Sequence, residues 1–556
     1  MDNNINENKE NVEVKEEKVE VKEQPKKLRE FTNFDSVFAW FAYIASYLFC
    51  LVFPVSSTPF GGMLFIIMMF LFTFIFLKAK GNKIPATSVL TGVSAVVLSS
   101  SLIISSNSFI HFFAFVYCLC AYCYFVYTAQ GNTIRKGISN YLLADWTESV
   151  FVLPFVSLKK PQMHHAMFSG KRKGTLSVIK KLALGLGITI VPTSIAVALL
   201  SYDKSFTDLA GKIFTFDGNE LFTQLLSLGF AIPLGFCMFG LYLSSNDKVN
   251  PRITEEKTLK LAEKVSIAPL VTIVAAVVPL FAVYVLFFVS QWQYYVSGFT
   301  GKLPEGFSYA EYAREGFFQL CTVSVINLVI IVLLILFTKK SKGATVTLRI
   351  ITVLFSVSTL VLISTAIAKL VMYIDIYGLT QKRVYAAWFM VVLALIFIAV
   401  AISRFVPKIS VVAVSASIFV VLFTCLALCN ADRIIAKYNV DMYISGKHKV
   451  IDIDALASLG DASTPDLVRL AKYIDEKEGT DILERVKKED TSYEYGCDDG
   501  FLYYDEYYSD KYMHYCLLEW LVSCKIVAED SENDLFAFTI NSMNAEKSLR
   551  EAGIIK

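Results

Sequence analysis

The feature that most constrains this chain is a succession of apolar runs, each about 17 to 25 residues long and nearly free of charge. That is the length a helix needs to cross the roughly 30 Å hydrocarbon core of a bilayer. Eleven such runs are present, at 36–54, 61–77, 86–106, 109–128, 182–200, 221–244, 268–290, 317–337, 350–372, 387–403 and 411–429. In lipid the backbone N–H and C=O groups of a segment have no water to bond, so runs of this length predict α-helices. Composition agrees: 55% of the chain is hydrophobic and 18% charged, against about 25% charged in soluble domains, which excludes an ordinary soluble enzyme.

The net charge of +2 hides an uneven distribution. Residues 1–30 hold nine acidic and seven basic side chains, 31–429 hold fifteen and thirty, and 430–556 hold twenty-six and fifteen. The reading is an all-α integral membrane protein in three parts. Residues 1–30 form a charged arm, too poor in apolar side chains to offset its ordering entropy and therefore disordered. Residues 31–429 form the multi-pass domain of about eleven helices. Residues 430–556 form a small, mainly helical, acidic and Tyr-rich domain.

Orientation follows from Lys and Arg, which keep short loops on the cytoplasmic side. Alternate loops hold 26 of them and the opposite loops six. This places the arm inside and, with an odd number of spans, the C-terminal domain outside. No cleavage site closes the first run, so it is expected to remain as a span. Between the fourth and fifth runs, 138–158 contains Asp145, Trp146, Glu148, Phe151 and Phe155, which predicts a helix lying on the cytoplasmic interface, with a re-entrant hairpin as the alternative.

Eight of the eleven cysteines fall within the spans, unlike a secreted disulfide framework. Cys118, Cys120 and Cys123 have a metal-like spacing, but on a helix only Cys120 and Cys123 share a face, so they read as small buried hydrophobes. In the C-terminal domain Cys497, Cys516 and Cys524 allow one disulfide on an oxidising side, with one thiol left over. His164 and His165 sit among Lys159, Lys160, Lys171, Arg172 and Lys173, a loop better explained by attraction to anionic headgroups than by metal binding. Neither a metal nor a cofactor is expected, and no nucleic-acid partner.

Candidate ligand chemistry lies on the outer side. Ser308 and Glu311 fit a capping box at a helix start, while Arg314, Glu315 and Asn327 beyond them define a polar stripe. A second cluster, Lys369, Asp375 and the 377–383 segment ending in Arg383, belongs to the same side. Snorkelling is the plain account of Lys369. The sharper expectation is that Glu315 or Asp375 pairs with Lys369 or Arg383, forming an outward-facing charged pocket for a small anionic or zwitterionic ligand.

In the tail, Ser463 or Thr464 before Pro465 opens a helix with Leu467, Val468, Leu470, Ala471 and Ile474 on one apolar face, and a second amphipathic stretch runs over 510–526. Between them, 493–508 interleaves tyrosines with carboxylates, a solvated surface in preference to a Ca²⁺ or sugar site.

Three functions fit. A transporter-like permease is suggested by Gly185, Gly187, Pro192, Gly229, Pro233, Gly235 and Gly240, which permit discontinuous helices about a midplane site, although few ionisable residues lie within the spans. A non-enzymatic envelope sensor or scaffold would use the acidic domain to receive a ligand or an envelope protein. A lipid-linked transferase ranks third, because the first outer loop, 55–60, has no carboxylate. No kinase, nucleotide-binding or protease motif is present, so the balance leans away from an enzyme.

Segments 309–320 (YAEYAREGFFQL), 373–390 (YIDIYGLTQKRVYAAWFM), 430–439 and 452–467 resemble those of the bacterial membrane proteins with domain of unknown function 4153/4173. That family opens its tenth-span region with Gly-Leu-Thr-x-x-Arg, here Gly378-Leu379-Thr380-Gln381-Lys382-Arg383. Its last span commonly ends in Asn-Pro-Asp, here Asn430-Ala431-Asp432, and Ala436, Tyr438 and Asn439 are also consistent. The resemblance implies a multi-pass protein of a bacterial inner membrane and supplies no activity or catalytic residue.

Overall fold

The computed structural model describes residues 32–52, 58–135, 137, 139–156, 218–246, 253–290, 309–339, 341–406, 408–490, 510–530 and 538–555. Among these, ten helices are long and apolar enough to cross a membrane. They are α1 (Asn33–Val52), α2 (Pro59–Ala79), α3 (Ala86–Ile104), α4 (Ser108–Ala129), α5 (Gly218–Asn246), α6 (Leu270–Ser290), α7 (Tyr309–Phe337), α8 (Lys342–Tyr377), α9 (Gln381–Ser403) and α10 (Val411–Leu428). Each coincides with an apolar run of the sequence. The run at 182–200, the arm at 1–30, His164 and His165, Ser308, Cys497 and the 493–508 stretch lie outside the described residues.

α8 is longer than its apolar run, at 36 residues. No helix breaker precedes Gly378, whose φ of +75° ends the helix in a conformation that L side chains rarely adopt.

The helices pack as two groups. In the first, α1 and α5 run antiparallel: Tyr242 Oη donates to Asp35 Oδ1 at 3.0 Å near one end, and Ser227 Oγ donates to the Cys50 carbonyl at 3.3 Å near the other. Phe38, Phe239 and Tyr242 are fully buried between them, with Phe38 stacked on Tyr242 at 4.2 Å. In the second group, α6 to α9 close around Phe355, Leu362, Ile363, Met390 and Phe397. α10 joins the groups: Phe423, Leu426 and Ala427 pack on Leu98, Ile110 and Ala114, and Trp388 Nε1 donates to the Leu422 carbonyl at 2.9 Å.

The connections sort to two ends as the Lys and Arg alternation requires. At the end where α1 starts, Lys80 Nζ donates to Tyr242 Oη at 2.8 Å, Asn132 Nδ2 to the Ser245 carbonyl at 2.8 Å and Ser410 Oγ to Asn140 Oδ1 at 2.9 Å. Arg135 pairs with Glu255 there. Ser105–Asn107, Gly378–Gln381 and Asn430–Asp432 gather at the far end. The segment from Leu142 to Val156 is a helix broken by a π-turn at Glu148–Val152. Its Pro154 and Phe155 line one cavity together with Phe49 of α1 and Leu119 in the middle of α4, so it enters the bundle instead of lying along its end.

At the far end further helices form a unit with its own core, among them α11 (Ala431–Ile444), α12 (Thr464–Glu478), α13 (Ile482–Lys488), α14 (Asp510–Asp530) and α15 (Ile540–Glu551). α12 has Pro465 in its first turn and ends on left-handed Gly479. Its Leu467, Leu470, Ala471 and Ile474 are fully buried against Val486, Leu517 and Leu521, the face expected from the sequence. Cys516 and Cys524 are both free thiols; burial pushes each up to about 11, which makes them poor nucleophiles at neutral pH.

Candidate functional site

The residues read as a charged pocket lie on three helices, α7, α8 and α9. Arg314 and Glu315 occupy the first turns of α7, where the backbone alone is described. Asn327, four turns further along, is fully buried. Its Oδ1 accepts from Tyr284 Oη of α6, and its Nδ2 donates to Thr359 Oγ1 of α8 at 2.9 Å. The amide therefore links three helices, a use of polar side chains common where lipid offers no alternative partner. Lys369 is buried on α8 at 7% exposure, two to three turns beyond Thr359.

Arg383 and Asp375 form no ion pair with each other. The Arg383 guanidinium donates to the carbonyls of Tyr377 at 2.9 Å and Gly378 at 2.5 Å and lies 4.2 Å from the centre of the Tyr373 ring. It thus satisfies carbonyls that the end of α8 would otherwise leave open, the position where the helix dipole favours a cation. Asp375 is exposed; its backbone carbonyl accepts from His448 Nε2 at 2.8 Å.

What the structure does bring together is a buried polar junction at the far end. The Gly378–Arg383 turn supplies several of its parts. Leu379 N–H donates to Asn439 Oδ1, and Asn439 Nδ2 donates back to the Leu379 carbonyl, both at 2.8 Å. Thr380 caps α9, its hydroxyl accepting from Arg383 N–H. Gln381 Nε2 donates to Asp432 Oδ1 at 2.9 Å. A Cβ on Gly378 would collide with Asn439 Oδ1, so close approach as well as φ demands glycine.

Asp432, 2% exposed, is the centre of the junction. It also accepts from Asn107 Nδ2 at 3.2 Å, while Asn107 Oδ1 caps α4 by accepting from Phe109 and Ile110 N–H. His111 Nε2 donates to the Ser105 carbonyl at 2.6 Å. Burial pushes the Asp432 carboxyl above its ordinary value, opposed by the Gln381 and Asn107 hydrogen bonds and by nearby His111. Asn430 adopts φ of +50°, a left-handed conformation that Asn tolerates, and its Nδ2 donates to Asn541 Oδ1 at 2.6 Å. Asn541 Nδ2 reaches Ser106 Oγ at 3.2 Å. Three inter-helix connections and α15 thus meet in one hydrogen-bonded knot.

Asn107 and Asn541 carried no signal as site residues in the sequence; short polar side chains next to helix ends are common caps. Among the described residues no cluster of three His, Cys, Asp or Glu could hold a metal ion.

The fold defines a class: a multi-pass α-helical membrane protein with a helical unit fastened to one end of the bundle. Within that class, the chain belongs to the family of the domain of unknown function DUF4153, whose model matches residues 92–470. No curated protein and no solved structure matches it. The matched range contains Asn107, Gly378–Arg383 and Asn430–Asn439 of the junction but not Asn541.

Proposed function

We propose that this protein is a non-enzymatic sensor or scaffold of a bacterial inner membrane. In this reading the N-terminal arm is cytoplasmic, and the acidic C-terminal unit receives an extracytoplasmic partner or ligand. The observation that carries it is the junction: Asp432, Gln381, Asn107, Asn430 and Asn541 couple the C-terminal helices to the ends of α3, α4, α9 and α10, so a load on one is felt by the other. Buried, fully connected polar networks favour one relative arrangement.

The test keeps the chain at full length. Gln381→Ala combined with Asn541→Ala, in a strain lacking the gene, is expected to insert normally and to reproduce the null phenotype. Full complementation by a chain that ends at Asn439 would sink this reading.

A permease is the second reading. It is favoured by Pro233 within α5 and Pro279 within α6, which allow local bending, and it needs an anionic or zwitterionic ligand at Lys369 or Arg383. Loss of uptake in Lys369→Gln with the junction intact would favour it.

A further inference from the structure

A cavity of 430 Å³ lies between α1, α2, α4, α5 and the broken Leu142–Val156 segment. Its described wall contains no Asp, Glu, Lys, Arg or His and is rich in rings, among them Phe49, Phe65, Phe115, Tyr122 and Phe155. The lining from α2 and α4 comes from the middle of those helices, so the cavity reaches the depth of the lipid tails. Water has too few polar partners there to fill it, and an empty space would forfeit dispersion contacts along its wall.

One polar atom on this wall is unexplained. Ser46 is 2% exposed, lines the cavity, and its Oγ has no hydrogen-bond partner among the described residues. In other spans Ser324, Ser356 and Ser417 bond the carbonyl one turn back, whereas Ser46 Oγ shares its unpartnered state, among the described residues, with Ser101 and Ser245. The other hydroxyl on the wall, Tyr122 Oη, is satisfied by Thr73 at 3.0 Å. A buried hydroxyl with no partner costs free energy, and a ligand oxygen in the cavity would remove that cost.

We infer that this cavity binds an uncharged lipid, its hydrocarbon filling the aromatic wall and one carbonyl oxygen accepting a hydrogen bond from Ser46. The described wall offers no cation to pair a phosphate, and the Ser46 hydroxyl can donate to a ligand carbonyl. Both a prenyl quinone and a diacylglycerol carry that chemistry.

Full-length protein in nanodiscs of phosphatidylcholine and phosphatidylglycerol, doped with a short-chain menaquinone in one arm and dioleoylglycerol in the other, tests this by native mass spectrometry. Retention of a neutral lipid in either arm is expected, and the arm identifies its source. Ser46→Ala should weaken retention about five-fold, the worth of one hydrogen bond, and Leu119→Trp, which fills the cavity from its lining, should abolish it. In delipidated detergent Ser46→Ala should raise Tm, because it removes an unsatisfied hydroxyl. A lowered Tm, retention of neither neutral lipid, preferential retention of phosphatidylglycerol, or equal retention by the wild type and both variants would overturn the inference.

Discussion

The membrane bundle and the C-terminal unit use the same apolar side chains in opposite ways. In the bundle Val271, Phe230 and Met68 are 78%, 64% and 60% exposed, because the surrounding lipid is as apolar as they are. In the C-terminal unit Leu467, Leu470 and Ile474 are 0% exposed, because water surrounds a unit that must bury them to gain the hydrophobic term. Specificity inside the bundle therefore falls to polar links such as Tyr284–Asn327–Thr359, whereas the C-terminal unit relies on area buried in a closed core. The lesson is that exposure means stability or instability only relative to the solvent each region faces.

Paired truncations should expose that contrast most strongly. Leu470→Ala is expected to destabilise the C-terminal unit by about 2–5 kcal/mol, while Val271→Ala should change bundle stability by less than about 0.5 kcal/mol. Both are read as urea-dependent proteolysis of the detergent-solubilised protein; equal effects would erase the distinction.

Gly378→Ala acts where the two regions meet. Its positive φ and the collision with Asn439 should cost on the order of 1–3 kcal/mol, seen as faster amide exchange in α11 and around Leu379. Unchanged exchange would mean the turn is not holding the unit.

A smaller effect is expected from pH. The Asp432 carboxyl is raised by burial, so the folded junction binds its proton more tightly than the unfolded chain does. Its contribution is complete below the ordinary carboxylate value and is lost as pH rises through the raised value. Protection of the Asn430–Ile435 amides should therefore fall across that window in the wild type, and Asp432→Asn should flatten the difference. A parallel slope in both proteins would assign the pH effect elsewhere.

The smallest expected effect is at the surface of the C-terminal unit. Arg469 pairs with Asp441 at 2.6 Å while both remain substantially exposed, so Arg469→Ala should lower Tm by the equivalent of about 0–1 kcal/mol. A larger loss would show that the pair supports the core beneath it.

Much of the architecture was legible in the residues. Apolar length marked the ten described spans, and the Lys and Arg bias sorted Lys80, Arg135 and Ser410 to one end and Gly378 and Asn430 to the other. The apolar face of α12 followed from helical spacing. The site was less legible, because the role of a polar side chain depends on partners far away in the chain. Arg383, read as a candidate ligand-binding cation, also donates to the carbonyls of Tyr377 and Gly378, contacts that no local pattern announced. Asn541 lies 111 residues from Asn430, beyond the reach of any local pattern.

By itself, then, the sequence determined that this chain is a bundle of membrane helices with alternating loops and a separate apolar core at its C-terminal end, because bilayer thickness and helical periodicity act on consecutive residues. Only the tertiary structure decided that Gln381, Asp432 and Asn107 would meet, that Asn541 would close the knot, and that Ser46 would face an apolar cavity without a partner among the described residues. Those outcomes depend on how helices pack side by side, and packing is set by contacts between residues that share no neighbourhood in the chain.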